Sequence, residues 1–433
     1  VSEASTESQA VADVAGQRGE RIFTLPFVSL MIANGLLRVC TYMLITVVPL
    51  YALDSGVSMA VAGLTTTFYM LAAVVVRPLS GRLVDSRGRY VVMLFGSVLY
   101  CLATGLYVLT LPVWLLLAVR ALQGLGFSFN GTAVMTLATD LIPESRMSEG
   151  IGYLGLEQTV AQLFAPWLAL TLATTYGFRA VFLVVFGLAV ANLLVRAPLK
   201  RVAGRYRRSA GTAAATAVPG TEPASAPARA DGGRGQWWGR LVEPGAVRPA
   251  LIMFFIMSGV AAVNTFMAAY TTGRGIADSG LFFTASGITL AAARLAGRRL
   301  RRIGTTWTIT SGIAMASVAL LLVYWSPNLG VLLAAGACYG WGMGVAQPGM
   351  NALAVVSADK ARRGLANSTF FMALDLSQAV DAAVLGALAG AAGTGAVFVV
   401  SAGVVAASAA AFFVLRSCGF LSDVAPLRRS PSS

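Results

Sequence analysis

Apolar positions along the chain gather into long runs, parted by short polar breaks. About 20 apolar residues in a helix cover the hydrocarbon of a bilayer. Runs of that order fall at 25–52, 58–80, 91–110, 113–139, 150–172 and 179–197. They resume at 248–270, 280–297, 305–325, 329–350, 365–390 and 394–416. The pattern predicts an all-α membrane protein with twelve transmembrane helices in two six-helix bundles. A faint repeat supports duplication of the halves. Gly81-Arg82 with Gly88 recurs as Gly297-Arg298 with Gly304, and Gly124 with Gly126 recurs as Gly340 with Gly342. Both recurrences share one offset along the chain, which supports duplicated six-helix halves.

Composition agrees with the pattern. The chain is 57% hydrophobic and 12% charged, about half the charged share of soluble domains. Its net charge of +14 is not the footprint of a nucleic-acid binder, because the charges sit in short breaks between apolar runs. Of the 32 Lys and Arg, only Arg179 and Arg274 fall in outward-facing loops, and Arg38 and Arg120 lie inside spans. The rest lie on one side, which the positive-inside rule makes cytoplasmic. The expected layout is a cytoplasmic tail over 1–24, a first bundle over 25–199, a linker over 200–247, a second bundle over 248–416 and a cytoplasmic tail over 417–433. The protein is thus expected in the plasma (inner) membrane, multi-pass, with both termini inside. The linker is rich in Ala, Gly, Pro, Ser and Arg and cannot build a core. There is no histidine, and the four cysteines are scattered. Neither a metal site nor a cofactor is expected.

Between the second and third runs lies R-P-L-S-G-R-L-V-D-S-R-G-R, Arg77 to Arg89. It is predicted as a tight loop in which Arg77, Arg82, Arg87 and Arg89 surround Asp85, a charge lock made and broken as helices move. Gly81 and Gly88 permit a close approach or a sharp turn. The portion Gly81 to Arg89 resembles the loop motif between helices 2 and 3 of the major facilitator superfamily. Leu117 to Gly126, L-A-V-R-A-L-Q-G-L-G, resembles that superfamily's helix-4 motif. The resemblance implies the major facilitator fold, with helices 1, 4, 7 and 10 lining a central cavity. It links Arg120 to proton coupling, and the charge lock makes Arg77, Gly81, Asp85, Gly88 and Arg89 the expected gating group. The stretch Asp140 to Gly155 is similar to bacterial twelve-helix efflux-type members. The exporters' helix-5 glycine motif is degraded here: Ala161 to Leu170 keeps Pro166 but has Ala165, Trp167 and Ala169.

Charged groups inside a span cost about 3 kcal/mol or more at the bilayer centre, so each is a functional candidate. Asn34, Arg38, Thr41 and Tyr42 share a face of the first span. Arg120, Gln123 and Asn130 do so on the fourth, and Glu157 lies on the fifth. Asn264 lies on the seventh, Gln347 and Asn351 on the tenth, and Asp375 and Asp381 on the eleventh. Asn34, Arg38, Tyr42, Gln123, Phe127, Asn264, Gln347 and Asn351 are the expected substrate-binding set. Arg120, Glu157, Asp375 and Asp381 are the expected coupling set, with Asp375 the proton carrier and Asp381 the partner of Arg38. Arg38 with Arg120 points to an anionic or zwitterionic group, and Phe127, Phe254, Phe255 and Phe266 point to apolar or ring-bearing parts.

The residues and the resemblance together imply a secondary transporter, a monomer in the bilayer. It would move a small organic, amphipathic molecule by alternating access, with export driven by protons. No Gly-rich phosphate loop supplies another energy source, and no nucleophile–base pair marks an enzyme. Proton-coupled uptake stays open, as does a transport-inactive sensor or scaffold on the same fold.

Overall fold

The computed structural model describes residues 22–109, 111–143, 146–196, 242–300, 304–358 and 362–418. Twelve long helices fill these described residues. The first six are α1 Leu25–Asp54, α2 Met59–Arg87, α3 Arg89–Leu106, α4 Val113–Leu141, α5 Met147–Tyr176 and α6 Phe178–Val195. The second six are α7 Pro244–Gly273, α8 Leu281–Leu300, α9 Thr305–Trp325, α10 Leu329–Val356, α11 Arg363–Ala392 and α12 Thr394–Ser417. Ten of these are long and apolar enough to cross a membrane by length and composition. The other two are α5, which carries Glu157, Gln158 and Gln162, and α8, whose apolar part is Leu281–Ala296.

Short signals set the helix ends. Thr24, Ser58 and Asn328 cap α1, α2 and α10 with their side chains, giving the exposed amide groups an acceptor. The Arg77–Arg89 stretch is not a loop, as the sequence suggested. α2 continues to Arg87, and Gly88 alone breaks the helix, at φ 92°. That angle is a glycine's angle. No neighbour lies within 4 Å of a Cβ placed on Gly81, so space does not demand glycine there. The Asp85 side chain and the 197–241 part of the linker lie outside the described residues.

The repeat is visible in the backbone. Gly88 and Gly304, and Gly177 and Gly393, all have positive φ and stand apart by the offset that relates the sequence motifs. A Cβ on Gly126 would meet Tyr100 N at 2.7 Å and Gly96 O at 2.8 Å. One on Gly342 would meet Ala316 N at 2.8 Å and Gly312 O at 2.5 Å, the same contacts one repeat later. Small residues thus let α3 approach α4, and α9 approach α10, in one manner.

The halves keep separate cores. One large cluster lies in the second half, around Met253, Phe266, Phe282, Tyr339, Phe370 and Phe398. The first half has two, around Cys40, Leu44 and Phe182 and around Phe27, Phe129 and Leu137. Ala165 and Ala169, which stand where the helix-5 motif has glycines, are buried in the former. Among the described residues a small cluster, Ile45, Tyr69, Met70 and Ala379 with Phe127, joins the two halves, and Met59 and Leu170 of the first half pack on the second-half core.

Candidate functional site

The halves meet along two seams, α2 with α11 and α5 with α8, with lesser packing of α7 on α1 and α2. On the first seam a Cβ on Gly63 would lie 2.3 Å from Ala382 O, so the backbones touch. Thr67 Oγ1 donates to Ala379 O at 2.8 Å. Further along, Arg77 forms an ion pair with Asp375. On the second seam a Cβ on Gly280 would lie 2.9 Å from Trp167 Cα. Thr284 Oγ1 donates to Leu163 O at 3.3 Å, and Arg294 Nη1 donates to Thr159 Oγ1 at 2.5 Å. These contacts match in order: Gly63 with Gly280, Thr67 with Thr284, Arg77 with Arg294, Ala379 with Leu163, and Asp375 with Thr159. α5 maps onto α11 at the offset that relates the repeated glycines, and these positions of α2 map onto α8 at that offset advanced by a single position. Arg294, a cation that sequence reasoning left among the cytoplasmic helix ends, is thereby part of the interface. Only the repeat offset could have found it.

The polar face of α1 divides. At about 100° per residue its four polar positions spread over about 100° of arc. Asn34 and Thr41 on one edge are buried within the first bundle. Arg38 and Tyr42 on the other edge are half-buried. Asn34 Nδ2 donates to Glu157 Oε1, Asn130 Nδ2 donates to Asn34 Oδ1 at 3.5 Å, and Ser97 Oγ donates to Asn130 Oδ1 at 3.3 Å. This relay ties α3, α4, α1 and α5 together. Arg38 stacks on Phe127, 5.3 Å from guanidinium carbon to ring centre. Its Nε is buried without a hydrogen-bond partner. Gln158 Nε2 donates to Tyr42 OH at 3.2 Å.

Arg120 and Gln123 lie inside the first bundle and not between the bundles. Arg120 is fully buried; its Nε donates to Thr65 O at 3.1 Å and its Nη1 to Gln123 Oε1 at 3.0 Å. Its guanidinium carbon sits 5.0 Å from the Tyr69 ring centre. Gln123 Nε2 donates to Tyr100 OH at 2.9 Å, and Gln123 Oε1 also accepts from Tyr107 OH at 2.8 Å. Among the described residues no acid pairs with Arg120. A polar face read from helical periodicity does not say whether it looks into a cavity or at neighbouring helices. Here it looks at α2 and α3.

The pairing of the α11 acids is the reverse of the sequence expectation. Asp375 meets a cation, Arg77. Among the described residues Asp381 meets none, and it sits by Ser377, whose Oγ is 2.5 Å from both Asp381 Oδ2 and Phe254 O. Six positions along α11 separate the acids, about 120° around the helix after whole turns are removed. Asp375 therefore faces α2 and Asp381 faces α7. Arg38 lies in electrostatic reach of Glu157 and Asp375, and forms no ion pair with Asp381. Arg89 pairs with Asp140 inside the first bundle. Asn264, Gln347 and Asn351 are half-buried on α7 and α10, and Asn351 Oδ1 is buried without a partner. Phe266 belongs to the second-half core, 1% exposed, so it is not free to line a cavity.

The family model described as Major Facilitator Superfamily matches residues 30–300 and 250–431. The staphylopine export protein of Staphylococcus aureus is 25% identical over 84% of this chain and 87% of its own length. The MFS-type transporter YhhS of Escherichia coli K12 is 26% identical over 84% of this chain and 85% of its own. Among solved structures, the nucleoside transporter NupG superposes at a TM-score of 0.69 and 14% identity, covering 90% of this chain and 100% of that one. Two six-helix halves, the paired motifs and the family match lead to one conclusion: the chain belongs to the major facilitator superfamily, and is a multi-pass membrane transport protein, not an enzyme.

Proposed function

We propose that the protein exports a small organic, amphipathic molecule by alternating access, driven by protons, and works as a monomer in the plasma (inner) membrane with both termini cytoplasmic. Two halves with separate cores, joined along two seams, suit rocking about a central site. Efflux fits the naming of the staphylopine export protein. The substrate contacts would come from Arg38, Tyr42 and Phe127 of the first half and Asn264, Gln347 and Asn351 of the second.

The observation that carries proton coupling is the geometry of Asp381. Ser377 has one hydroxyl proton, and its Oγ lies 2.5 Å from two acceptors. If that proton goes to Phe254 O, the contact with Asp381 is completed only by a protonated carboxyl group that donates to Ser377. Asp375, held by Arg77, is the poorer proton carrier of the two. This moves the carrier role from Asp375 to Asp381, with Glu157 as the second site. In vesicles of reconstituted protein, Asp381→Asn should abolish accumulation driven by a pH gradient and keep counterflow of labelled substrate. Full pH-driven accumulation by that variant would remove Asp381 from the coupling mechanism.

One observation favours uptake instead. Glu157 lies in electrostatic reach of Arg38, so protonating Glu157 would leave the field of Arg38 to a substrate anion, and proton and substrate would then bind together. Linkage separates the readings. Lowering pH should weaken substrate binding in an exchanger and strengthen it in a cotransporter.

A further inference from the structure

Arg294 has the place on α8 that Arg77 has on α2. Arg77 finds an acid. Arg294 finds the hydroxyl of Thr159, and its Nε is buried without a hydrogen-bond partner. Arg38, on the other half, also has a buried Nε without a partner. The two cations converge on one group. Tyr42 lies a turn beyond Arg38 on α1, takes a hydrogen bond from Gln158, and is in electrostatic reach of both Arg38 and Arg294. Gln158 donates to Tyr42 and Thr159 accepts from Arg294, so consecutive residues of α5 tie together the groups of the two halves: Arg38, Tyr42, Gln158, Thr159, Arg294.

Among the described residues no acid closes it. Glu157 and Asp375 lie in electrostatic reach of Arg38, but Glu157 is bound by Asn34 and Asp375 by Arg77. Among the described residues neither Arg38 nor Arg294 has an ion pair. A guanidinium keeps its charge, and a buried one left without an acceptor is costly.

We propose that Arg38 and Arg294 clamp an anionic group of the substrate, a carboxylate, between the two halves, with Tyr42 and Gln158 as neutral partners and Phe127 against an apolar or ring-bearing part. Charge-assisted bonds from two guanidinium groups suit a planar carboxylate. The anion supplies, at the α5–α8 seam, the negative charge that Asp375 supplies at the α2–α11 seam. This deepens the transport reading, on which it rests, by naming the substrate class and adding Arg294 to the site.

The test is binding to the purified full-length protein in detergent, at constant ionic strength and without a gradient. The probe is hippurate, a ring-bearing carboxylate, against its neutral amide. Saturable thermal stabilisation by hippurate and none by the amide is expected. Arg38→Gln and Arg294→Gln should each weaken hippurate binding on the order of tenfold or more, the worth of a charge-assisted hydrogen bond. Arg294→Lys should keep part of it, and Arg179→Gln should match the parent. Equal responses to hippurate and the amide would overturn the proposal, as would hippurate binding unchanged by Arg294→Gln. If Arg294→Gln fails to fold, modification of the parent by phenylglyoxal decides. Hippurate should shield Arg294 in peptide mass spectra, and absence of shielding counts against the clamp. Because no gradient is used, a failure here leaves the transport reading standing. Binding without any vesicle transport would instead count against transport and leave the clamp intact.

Discussion

The two seams between the halves share a backbone plan and differ in charge. Gly63 and Gly280 bring the helices together, and Thr67 and Thr284 donate across to the backbone carbonyls of Ala379 and Leu163. Then the seams part. Arg77 meets Asp375, while Arg294 meets Thr159. The α2–α11 seam neutralises itself; the α5–α8 seam leaves a cation facing the other half. The close approach, which depends on small residues and carbonyls, recurs at both seams, and the charge pairing does not. The self-neutralised seam suits a hinge, and the unbalanced one suits a ligand.

The largest break in this comparison comes from Asp375→Asn. It leaves Arg77, half-buried between the halves, without its acid, and a charge shielded from water that loses its partner is destabilising. We expect transport, including counterflow, to fall more than tenfold. The reversed pair, Arg77→Asp with Asp375→Arg, should recover part of that loss. Counterflow at parental rates in Asp375→Asn would mean that the ion pair does not hold the seam. This differs from the outcome expected for Asp381→Asn, where counterflow survives.

The next largest effect tests the comparison in the other direction. Thr159→Asp installs on α5 the acid that α11 already carries, opposite Arg294. The second seam should then neutralise itself. Thermal stability should rise, transport should slow several-fold, and hippurate binding should be lost because the new carboxylate occupies the cation. Faster transport, or undiminished hippurate binding, would show that Arg294 is not the free cation of this seam.

Much of this was legible in the sequence. The twelve apolar runs, the two sets of six and the constant repeat offset came from spacing alone, because a bilayer imposes a fixed helix length. The in-span acids and Arg38 stood out because charge in hydrocarbon is costly. What stayed hidden were the partners. The partners of Asp375 and Asp381 depend on angle around the helix, which depth along it does not give. Arg120 and Gln123 pointed at neighbours within their own bundle. The Arg77–Arg89 stretch reads as a loop because it falls between two apolar runs, yet helical hydrogen bonding runs through it to Gly88. Arg294 looked like one more cytoplasmic cation, and only the partner opposite, Thr159, gives it meaning.

A smaller effect probes whether the two halves respond alike. Gly124 and Gly340 are repeat mates, and a Cβ on each would fall 2.1 Å from Tyr69 O and 1.9 Å from Ser286 O. Neither carbonyl is the end of a flexible side chain, so α2 and α8 must shift. Gly124→Ala and Gly340→Ala should each destabilise by about 1–3 kcal/mol, the usual cost of overpacking, and by similar amounts. Thermal unfolding in detergent measures both. A twofold or greater difference between them would show that the duplicated bundles tolerate strain unequally.

The smallest effect concerns what joins the halves covalently. α6 ends at Val195 and α7 begins at Pro244, so the seams and the linker are separate connections between the bundles. Composition marks Ser209 to Gly235 as Ala-, Gly- and Pro-rich, with no span or cavity residue in it. Deleting it leaves roughly 18 residues between Arg196 and Val242, a reach of up to about 60 Å at roughly 3.3 Å per residue. That is several helix diameters of about 10 Å, enough for the halves to keep their seams. Closure entropy also changes slowly with length, by about 0.6 kcal/mol per doubling. Substrate affinity, measured by equilibrium binding at matched expression, should therefore stay within about twofold of the parent. A tenfold change would mean that the linker, and not the paired seams, sets how the halves present the site.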